Sequence, residues 1–289
     1  MNGFKKALWA AQAYCRRNPK LVGGIGIVIF LILFWLIGSV VVGPAKAQPI
    51  SGLPDQPPSL KHFLGTDSNG RDLLAVMIVG TGLTIRIGFL AGFIGLGIAI
   101  GLGFLAGFDR GPLDTIIMGV VDVLLTVPPL AVLVVVAAMI KEVISLDVMI
   151  VIVASLSWML PTRAIRAQVL TMREREYVQI AKLSGMSNLE IIAREMIPNL
   201  LPYLAAGFVS STAAAILASI GLEALGLGPQ SLPTLGMTIF WSISFSALLR
   251  GMWWWWVPPV VIIVALFVGL FFLTAGLDEL ANPKLRRFM

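Results

Sequence analysis

Few side chains of this 289-residue chain could do chemistry. Its one cysteine, Cys15, has no partner for an internal disulfide, and its one histidine, His62, cannot form a multi-histidine metal site or proton relay. We interpret His62 as an ordinary loop residue. The G-x-x-x-x-G-K-[ST] loop that cradles nucleotide phosphates is also missing from the sequence. We therefore expect no cofactor, no metal and no catalytic residue in this chain.

Three charged side chains lie within long apolar runs. Asp122 lies about two turns into one run, and Arg163 and Arg166 lie one turn apart near the end of the next. A lone carboxylate inside a membrane is costly, so we expect Asp122 to pair with one of these arginines. The pair would either lock two helices together or form a charged element of an inner gate.

The composition indicates the elements that must position these charges. Hydrophobic residues make up 58% of the chain and charged residues only 12%, and the mean hydropathy is +0.93. Soluble domains carry about 25% charged residues. We therefore predict an all-α integral membrane protein. Its six transmembrane helices are predicted at 21–43, 86–108, 115–140, 148–168, 200–222 and 256–276.

The second predicted span begins inside a longer apolar run that starts at Leu73. A single helix from Leu73 to Phe108 would be about 54 Å long, well above the ~30 Å hydrocarbon core. We therefore predict a separate interfacial helix at 72–84. The proline-rich segment 44–71 should be an extended, irregular connection. This predicts an anchor region, 1–71, a core, 72–276, and a tail, 277–289.

The positive charges predict the orientation. If both termini are cytoplasmic, most Lys and Arg residues fall on the inner side, as the positive-inside rule requires. Trp253 to Trp256 then lie at the outer surface as an aromatic belt. The apolar run 21–43 is too long for a signal-peptide core of about 7–15 residues, so we expect a retained anchor. This first span lacks small-residue faces, and we expect it to lie peripherally.

The fifth predicted span is unusual because one side of it is small and mildly polar. Its hydroxyl-bearing residues are Ser210, Ser211, Thr212 and Ser219. Close helix packing accounts for such a surface. A water-filled translocation path is the more specific hypothesis.

The segment 173–198 is charged, and we predict that it forms two short cytoplasmic helices. Tyr177, Ile180, Ala181 and Ser184 have the spacing of a small apolar stripe. Gly185 is suited to the left-handed position that ends a helix. Ser187 and Glu190 form the S-x-x-E capping box that starts the next helix, and Pro198 should end it.

The predicted apolar face of this segment is narrow, and glycine interrupts it. Helices that rest on lipid carry a broad apolar face. Docking into a groove on a soluble partner therefore fits the segment better.

The pattern E-x-x-x-x-A-x-x-x-G from Glu176 to Gly185, followed by Ile197-Pro198, resembles the EAA loop of ABC-importer permeases. Further motifs resemble the C-type subunit of the dipeptide/oligopeptide family in the same order along the chain. They include His62 to Asp67, Gly70-Arg71-Asp72, Pro161-Thr162-Arg163, Leu225 to Gly228, Gly276-Leu277-Asp278 and Asn282-Pro283. There are departures: the family often has Glu near Ser219, whereas Glu223 lies a few residues further on.

This resemblance implies a type I ABC-importer permease in the plasma membrane of a bacterium or archaeon. It implies a heterodimer with a homologous permease, two ATP-binding subunits that hold ATP and Mg, and an extracytoplasmic solute-binding protein. A partner permease could also supply the counter-ion of Asp122. The loop would contact the ATP-binding subunit through Glu176, Tyr177, Ile180, Ala181, Ser184, Gly185, Ser187 and Glu190.

Other functions stay open at the level of the sequence. The same machinery also serves oligosaccharides and metal chelates. An ion-coupled secondary transporter would show internal repeats and broken helices around midplane ion sites, which the sequence does not clearly contain. An intramembrane enzyme would need a pair of catalytic groups within the spans, and we find no convincing pair.

Overall fold

A computed structural model describes residues 17–281 of the chain, and these residues are mostly helical. The predictions for Cys15, for Asn282-Pro283 and for most of the tail 277–289 concern residues outside this described part. The helices are α1 (Pro19–Val42), α2 (Leu73–Asp109), α3 (Pro112–Thr126), α4 (Pro129–Met139), α5 (Leu146–Ser157), α6 (Met159–Arg173), α7 (Glu176–Leu183), α8 (Asn188–Ala224), α9 (Leu235–Ser244) and α10 (Trp253–Ala281).

Four of these helices, α1, α2, α8 and α10, are each long and apolar enough to cross a membrane. Two consecutive pairs are also apolar enough but bent: α3 with α4 by 85°, and α5 with α6 by 42°. Counting each bent pair as one span gives up to six spans. The prediction of an all-α protein with several apolar spans is therefore confirmed.

Helix α2 is a single helix of 37 residues, so the predicted division into 72–84 and 86–108 is wrong. Asp72 caps it by accepting hydrogen bonds from the N–H groups of Leu74 (3.0 Å) and Ala75 (3.3 Å). Its first two turns are buried by other protein segments, with Leu73 and Ile78 at 0% and 2% exposure. Because protein covers this end, the helix can exceed the thickness of the bilayer.

The predicted span 115–140 is broken between α3 and α4. The break lies at Val127 and Pro128, and the two helices meet at 85°. Proline keeps the preceding residue out of the helical region, and Val127 is accordingly extended, with φ −93° and ψ 134°. Pro129 then occupies the first turn of α4, where a missing N–H does no harm.

Pro198 does not end a helix, contrary to the sequence prediction. Helix α8 runs without interruption from Asn188 to Ala224, and a π-helical stretch, Ile191–Met196, ends two residues before Pro198. Proline in a regular helix clashes with the carbonyl group four residues earlier. The wider π turns shift the hydrogen-bond register ahead of Pro198, which lets the helix continue.

Helix α2 forms the centre of the bundle and packs along α6, α8, α5 and α1. Helix α1 lies at the side, against α10 and α2, with little of its surface buried. Although α1 was expected to lack small-residue faces, one glycine of α1 makes a close contact with α10. Gly24 lies so close to α10 that a Cβ there would be 2.5 Å from the Leu273 nitrogen and 2.8 Å from the Gly269 oxygen.

Apart from a short 3-10 helix at its start, Pro44–Ala47, the connecting segment 44–72 is irregular, as predicted, and it is held in place by many hydrogen bonds. Backbone bonds join Ile50 to Asn69 and Gly52 to Gly70. His62 is more than an ordinary loop residue, since its Nδ1 lies 2.8 Å from the Asp72 carboxylate that caps α2. The segment is therefore fastened to the start of α2.

A second contact fastens the connecting segment to the α9–α10 connection. Arg250 forms an ion pair with Asp55 and donates to Ser68 Oγ at 2.9 Å. Partial burial alone would raise the pKa of Asp55. Hydrogen bonds from Arg250 and Ser68, together with the positive charge of Arg250, outweigh this effect and lower the pKa below its ordinary value.

Candidate coupling surface, charged cluster and cavity

Gly185 occupies the turn between α7 and α8 in the left-handed region, with φ +80°. The N–H of Gly185 donates to the Lys182 carbonyl (3.0 Å), and the N–H of Met186 donates to the Ala181 carbonyl (3.2 Å). These bonds satisfy the carbonyl groups at the end of α7. A Cβ at Gly185 would meet no atom within 4 Å, so the backbone conformation and not crowding favours glycine here.

The capping box starts α8. Ser187 Oγ accepts from the Glu190 N–H at 3.3 Å, and Glu190 Oε2 accepts from the Ser187 N–H at 3.4 Å. This local signal was visible in the sequence because the box needs only two residues three positions apart.

The buried face of α7 differs from the predicted stripe. Val178 and Ala181 face inward, at 0% and 6% exposure, and pack in a cluster that includes Ile191 and Met196. Of the four stripe residues, Ile180 and Ser184 are exposed and Tyr177 is half-buried. Val178 was not predicted to be buried, because i, i+3 and i, i+4 spacings in so short a helix fit more than one face.

The segment instead presents apolar side chains to its surroundings. Ile180, Leu183 and Leu189 are 62%, 88% and 78% exposed. They lie on either side of the Gly185 turn, and Glu176 is exposed nearby. Exposed apolar side chains grouped on an ordered loop are typical of a protein contact site.

Two ion pairs join α3 to α6. Arg163 lies against Asp122, and Arg166 contacts Asp114 with Nη2 2.6 Å from Oδ2. From the sequence, both arginines were candidate partners of Asp122, and Asp114 was not predicted as a partner. Asp114 lies eight residues before Asp122, which places both carboxylates on one helix face.

The two pairs differ in burial. The side chains of Asp122 and Arg163 are 59% and 52% exposed, whereas those of Asp114 and Arg166 are 14% and 28% exposed. A third pair, Arg110 with Glu174 (3.3 Å), lies near the junction of α2 and α3. The three ion pairs thus form a row along the contact between α3 and α6.

A cavity of about 570 Å³ is lined mainly by α5, α6 and α8, with further residues from α2, α3, α4 and α10. Most of its wall is apolar, with Leu96, Leu133, Leu156, Leu160 and Leu204 among the lining residues. Tyr203, Thr274 and Asp278 add polar groups to the lining. Such a cavity, apolar with a few polar groups, is large enough for a small solute.

Two of the four hydroxyl residues predicted for a translocation path line this cavity. Ser210 and Ser211 do so, and Ser210 Oγ lies 3.5 Å from Thr274 Oγ1. Thr212 and Ser219 do not. Thr212 packs against α2 at Gly92, and Ser219 is fully buried with its hydroxyl bonded to Glu223. Helical geometry is the reason, because Thr212 and Ser219 lie two and nine residues after Ser210 and therefore on the opposite side of α8.

Within residues 17–281, no three His, Cys, Asp or Glu side chains come together in a way that could hold a metal ion.

Residues 99–287 match the protein family described as "Binding-protein-dependent transport system inner membrane component". The chain belongs to this family.

Several relatives of this chain have names that specify the solute they transport. The chain is 33% identical over 175 residues to the "Oligopeptide transport system permease protein OppC" of Mycobacterium bovis, which is 61% of this chain and 60% of the relative. It is 29% identical over 272 residues to the "Dipeptide transport system permease protein DppC" of Bacillus subtilis, covering 94% of this chain and 84% of the relative. It is 28% identical over 283 residues to OppC of Bacillus subtilis, covering 97% and 91%.

The part that matches the transport family contains the segment 173–198, both ion pairs between α3 and α6, and nearly all of the cavity. Helix α1, the connecting segment and the greater part of α2 (residues 73–98) precede it. The functional candidates therefore lie in the portion of the chain that carries the family relationship.

Proposed function

We propose that the chain is a permease subunit of an ATP-binding-cassette importer, and that it forms part of the translocation path for a peptide-like solute delivered by a solute-binding protein. The observation that carries this proposal is the ordered loop at Gly185, with three exposed apolar side chains beside it. The names of the relatives support peptides as the cargo.

The proposed machine contains a homologous permease, two ATP-binding subunits and the binding protein. The ATP-binding subunits hold ATP and Mg, and this chain holds neither. Segment 173–198 docks on one of them through Ile180, Leu183 and Leu189, beside the Gly185 turn. Glu176, Tyr177, Ala181, Ser184, Ser187 and Glu190 shape or flank this surface.

In this proposal the chain has six spans, with α3–α4 and α5–α6 each counted as one, and both termini are cytoplasmic. The excess of Lys and Arg on the side of segment 173–198 supports this orientation. The arrangement is the type I permease fold in a bacterial or archaeal plasma membrane. Residues 1–71 form the anchor region, residues 72–276 the core and residues 277–289 the tail.

We assign the cavity beside Ser210 and Ser211 to the translocation path. The row of ion pairs between α3 and α6 then belongs to the inner gate. Asp122 and Arg163 are more than half exposed in the single chain, which suits a surface that changes its contacts during transport. Asp114 and Arg166 are less exposed and hold the two helices together.

Uptake by reconstituted proteoliposomes tests the function. The chain is assembled with the partner permease and the ATP-binding subunits, and the binding protein is added outside with a radiolabelled tripeptide. We expect uptake that requires both ATP inside the vesicle and the binding protein. Uptake driven by a proton gradient without ATP would contradict the proposal in favour of an ion-coupled transporter. ATP-driven uptake of oligosaccharides or metal chelates, and not of peptides, would correct the cargo alone.

A further inference from the structure

Glu223 is a fully buried carboxylate at the end of α8 that lies opposite segment 173–198. Ser219 Oγ donates to its Oε1 at 2.9 Å, and Thr234 Oγ1 donates to its Oε2 at 2.7 Å. The backbone N–H of Gly236 also donates to it, and the N–H of Met237 is shared between it and Thr234 Oγ1 (3.2 Å). Among the described residues, no Lys, Arg or His forms an ion pair with it. Burying a carboxylate without a cation is costly unless dipoles replace the lost water.

The dipoles come from the start of α9. Each of its first four N–H groups has an acceptor: Leu235 donates to Thr84 Oγ1 (3.1 Å), Gly236 to Glu223, Met237 to both Thr234 Oγ1 (3.2 Å) and Glu223, and Thr238 to the Thr234 carbonyl (2.9 Å). The start of a helix carries partial positive charge and unpaired N–H groups, both of which favour an anion. Glu223 thus satisfies the N-terminus of α9 from within α8.

The backbone is built closely around this carboxylate. A Cβ at Gly236 would lie 2.3 Å from Glu223 Oε2, and a Cβ at Gly228 would lie 2.6 Å from Glu223 Cγ. Glycine at both positions therefore allows the loop 225–234 and the first turn of α9 to contact the Glu223 side chain directly. An apolar residue at position 223 would leave buried N–H and hydroxyl groups without acceptors.

Helix α8 connects this site to the loop at the other end. It begins at Asn188, inside segment 173–198, and runs for 37 residues to Ala224. At 1.5 Å per residue it is about 55 Å long, enough to cross the whole bilayer. A displacement of segment 173–198 therefore acts directly on α8, and Glu223 lies at the other end of this helix.

We propose that Glu223 is a positioning residue that locks α9 and the loop 225–234 to α8, so that these elements move as one body when segment 173–198 is displaced. This inference rests on the proposed function, because the ATP-binding subunits supply the displacement. Through the contacts of Glu223, the displacement of segment 173–198 reaches the membrane surface opposite the ATP-binding subunits. This lock joins three elements, α8, the loop and α9, through one side chain.

Thiol labelling in the assembled transporter tests the lock. The reporter is Ser231→Cys, at an exposed position in the loop 225–234, in a Cys15→Ser background. Its labelling rate with a membrane-impermeant maleimide is measured without nucleotide and after trapping with ATP and vanadate. We expect the rate to differ between the two states. With Glu223→Ala, we expect ATP-binding subunits to remain bound and ATP hydrolysis to continue, while the difference in labelling rate is lost.

Two further variants sharpen the test. Glu223→Gln keeps one oxygen for the N–H groups of α9 and can donate its amide to Ser219 Oγ, so it should retain part of the nucleotide response. Leu217→Ala removes an exposed side chain from the same helix and should leave the full response. A merely structural role for Glu223 would change the amount of assembled complex and not the nucleotide response of the complex that does assemble.

Each of the other outcomes is decisive. A full response in Glu223→Ala would overturn the lock. A parent complex that hydrolyses ATP but shows no change at Ser231→Cys would overturn the idea that the loop moves with α8. If both Glu223 variants fail to assemble, Glu223 is a folding residue and the inference is wrong. If the parent chain does not bind ATP-binding subunits at all, the proposed function itself has failed.

Discussion

Arg166 and Asp114 meet across the contact between α6 and α3, with Nη2 2.6 Å from Oδ2 and Nε on the other carboxylate oxygen. Two parallel bonds of this kind fix both the distance and the orientation of the two groups. One turn earlier on α6, Arg163 reaches Asp122 instead. The helices are thus joined by a two-point pair with limited exposure and by a more exposed pair.

The first prediction compares these two pairs. Asp114→Ala should destabilise the purified chain by about 1.5–3 kcal/mol, the usual effect of losing hydrogen bonds to a charged group. Asp122→Ala should cost at most about 1 kcal/mol, because exposed ion pairs contribute little. Thermal unfolding in detergent measures both, and Asp147→Ala, from the exposed pair with Arg86, is the control. A larger loss in Asp122→Ala than in Asp114→Ala would reverse the assignment.

The pairing also shows where sequence reasoning stopped. Asp122, Arg163 and Arg166 could be identified as charges that need partners, because a charge in an apolar run is conspicuous. Arg166 could not be assigned to Asp114, since that choice depends on how α3 and α6 lie against each other. Asp114 also sits in the first turn of α3, where a carboxylate has an ordinary local explanation as a favourable charge at a helix start.

Signals from neighbouring residues predicted local structure better than the bilayer thickness predicted the lengths of the helices. The Gly185 turn and the Ser187–Glu190 capping box were predictable because each involves neighbouring residues. The continuous helix α2 was not, since the argument from bilayer thickness assumed that lipid surrounds the whole helix. The break at Pro128 was open to prediction, but the apolar run on both sides of it concealed the turn.

The second prediction concerns pH and the contact between Asp55 and Arg250. The pKa of Asp55 is lowered in the folded chain, so this group contributes stability above its ordinary pKa of about 3.9 and loses it as the pH falls through the folded value. We expect the connecting segment to become more susceptible to protease as the pH falls below about 4. Arg250→Gln should remove the Asp55 part of this dependence. Proteolysis at several pH values, with an acid-stable protease, compares the two proteins, and identical pH profiles would contradict the role of the pair.

The third prediction uses two glycines of α1. Gly24→Val would place atoms 2.5 Å from the Leu273 nitrogen, so α1 must move away from α10. Gly26→Val is the matched control, because a Cβ there meets no atom within 4 Å. We expect Gly24→Val to lower the thermal stability of the chain in detergent and Gly26→Val to leave it nearly unchanged. Equal stabilities would show that the close contact between α1 and α10 is dispensable.

The fourth prediction separates folding from docking within α7. Leu183 is 88% exposed, so Leu183→Ser should leave the stability of the chain unchanged while it weakens binding of the ATP-binding subunits. Val178 is fully buried, and Val178→Ala should cost about 1–2 kcal/mol through lost burial of two methyl groups. Co-purification and thermal unfolding are measured on both variants. Docking is excluded from this face if Leu183→Ser binds the ATP-binding subunits as the unmodified chain does.

The last prediction concerns Gly185, whose φ of +80° is unfavourable for any residue with a Cβ. Gly185→Val should strain the turn by about 1–2 kcal/mol or displace it. The chain should still fold and insert, because a Cβ at this position meets no neighbouring atom. The exposed side chains on either side, Leu183 and Leu189, would lose their relative placement, and we expect weaker binding of the ATP-binding subunits and reduced ATP-driven uptake. Gly111→Val is the matched control, since Gly111 also has open space around it but a negative φ of −99°. If Gly185→Val assembles and transports as Gly111→Val does, the left-handed turn is not needed for coupling, and segment 173–198 does not act through its fixed shape.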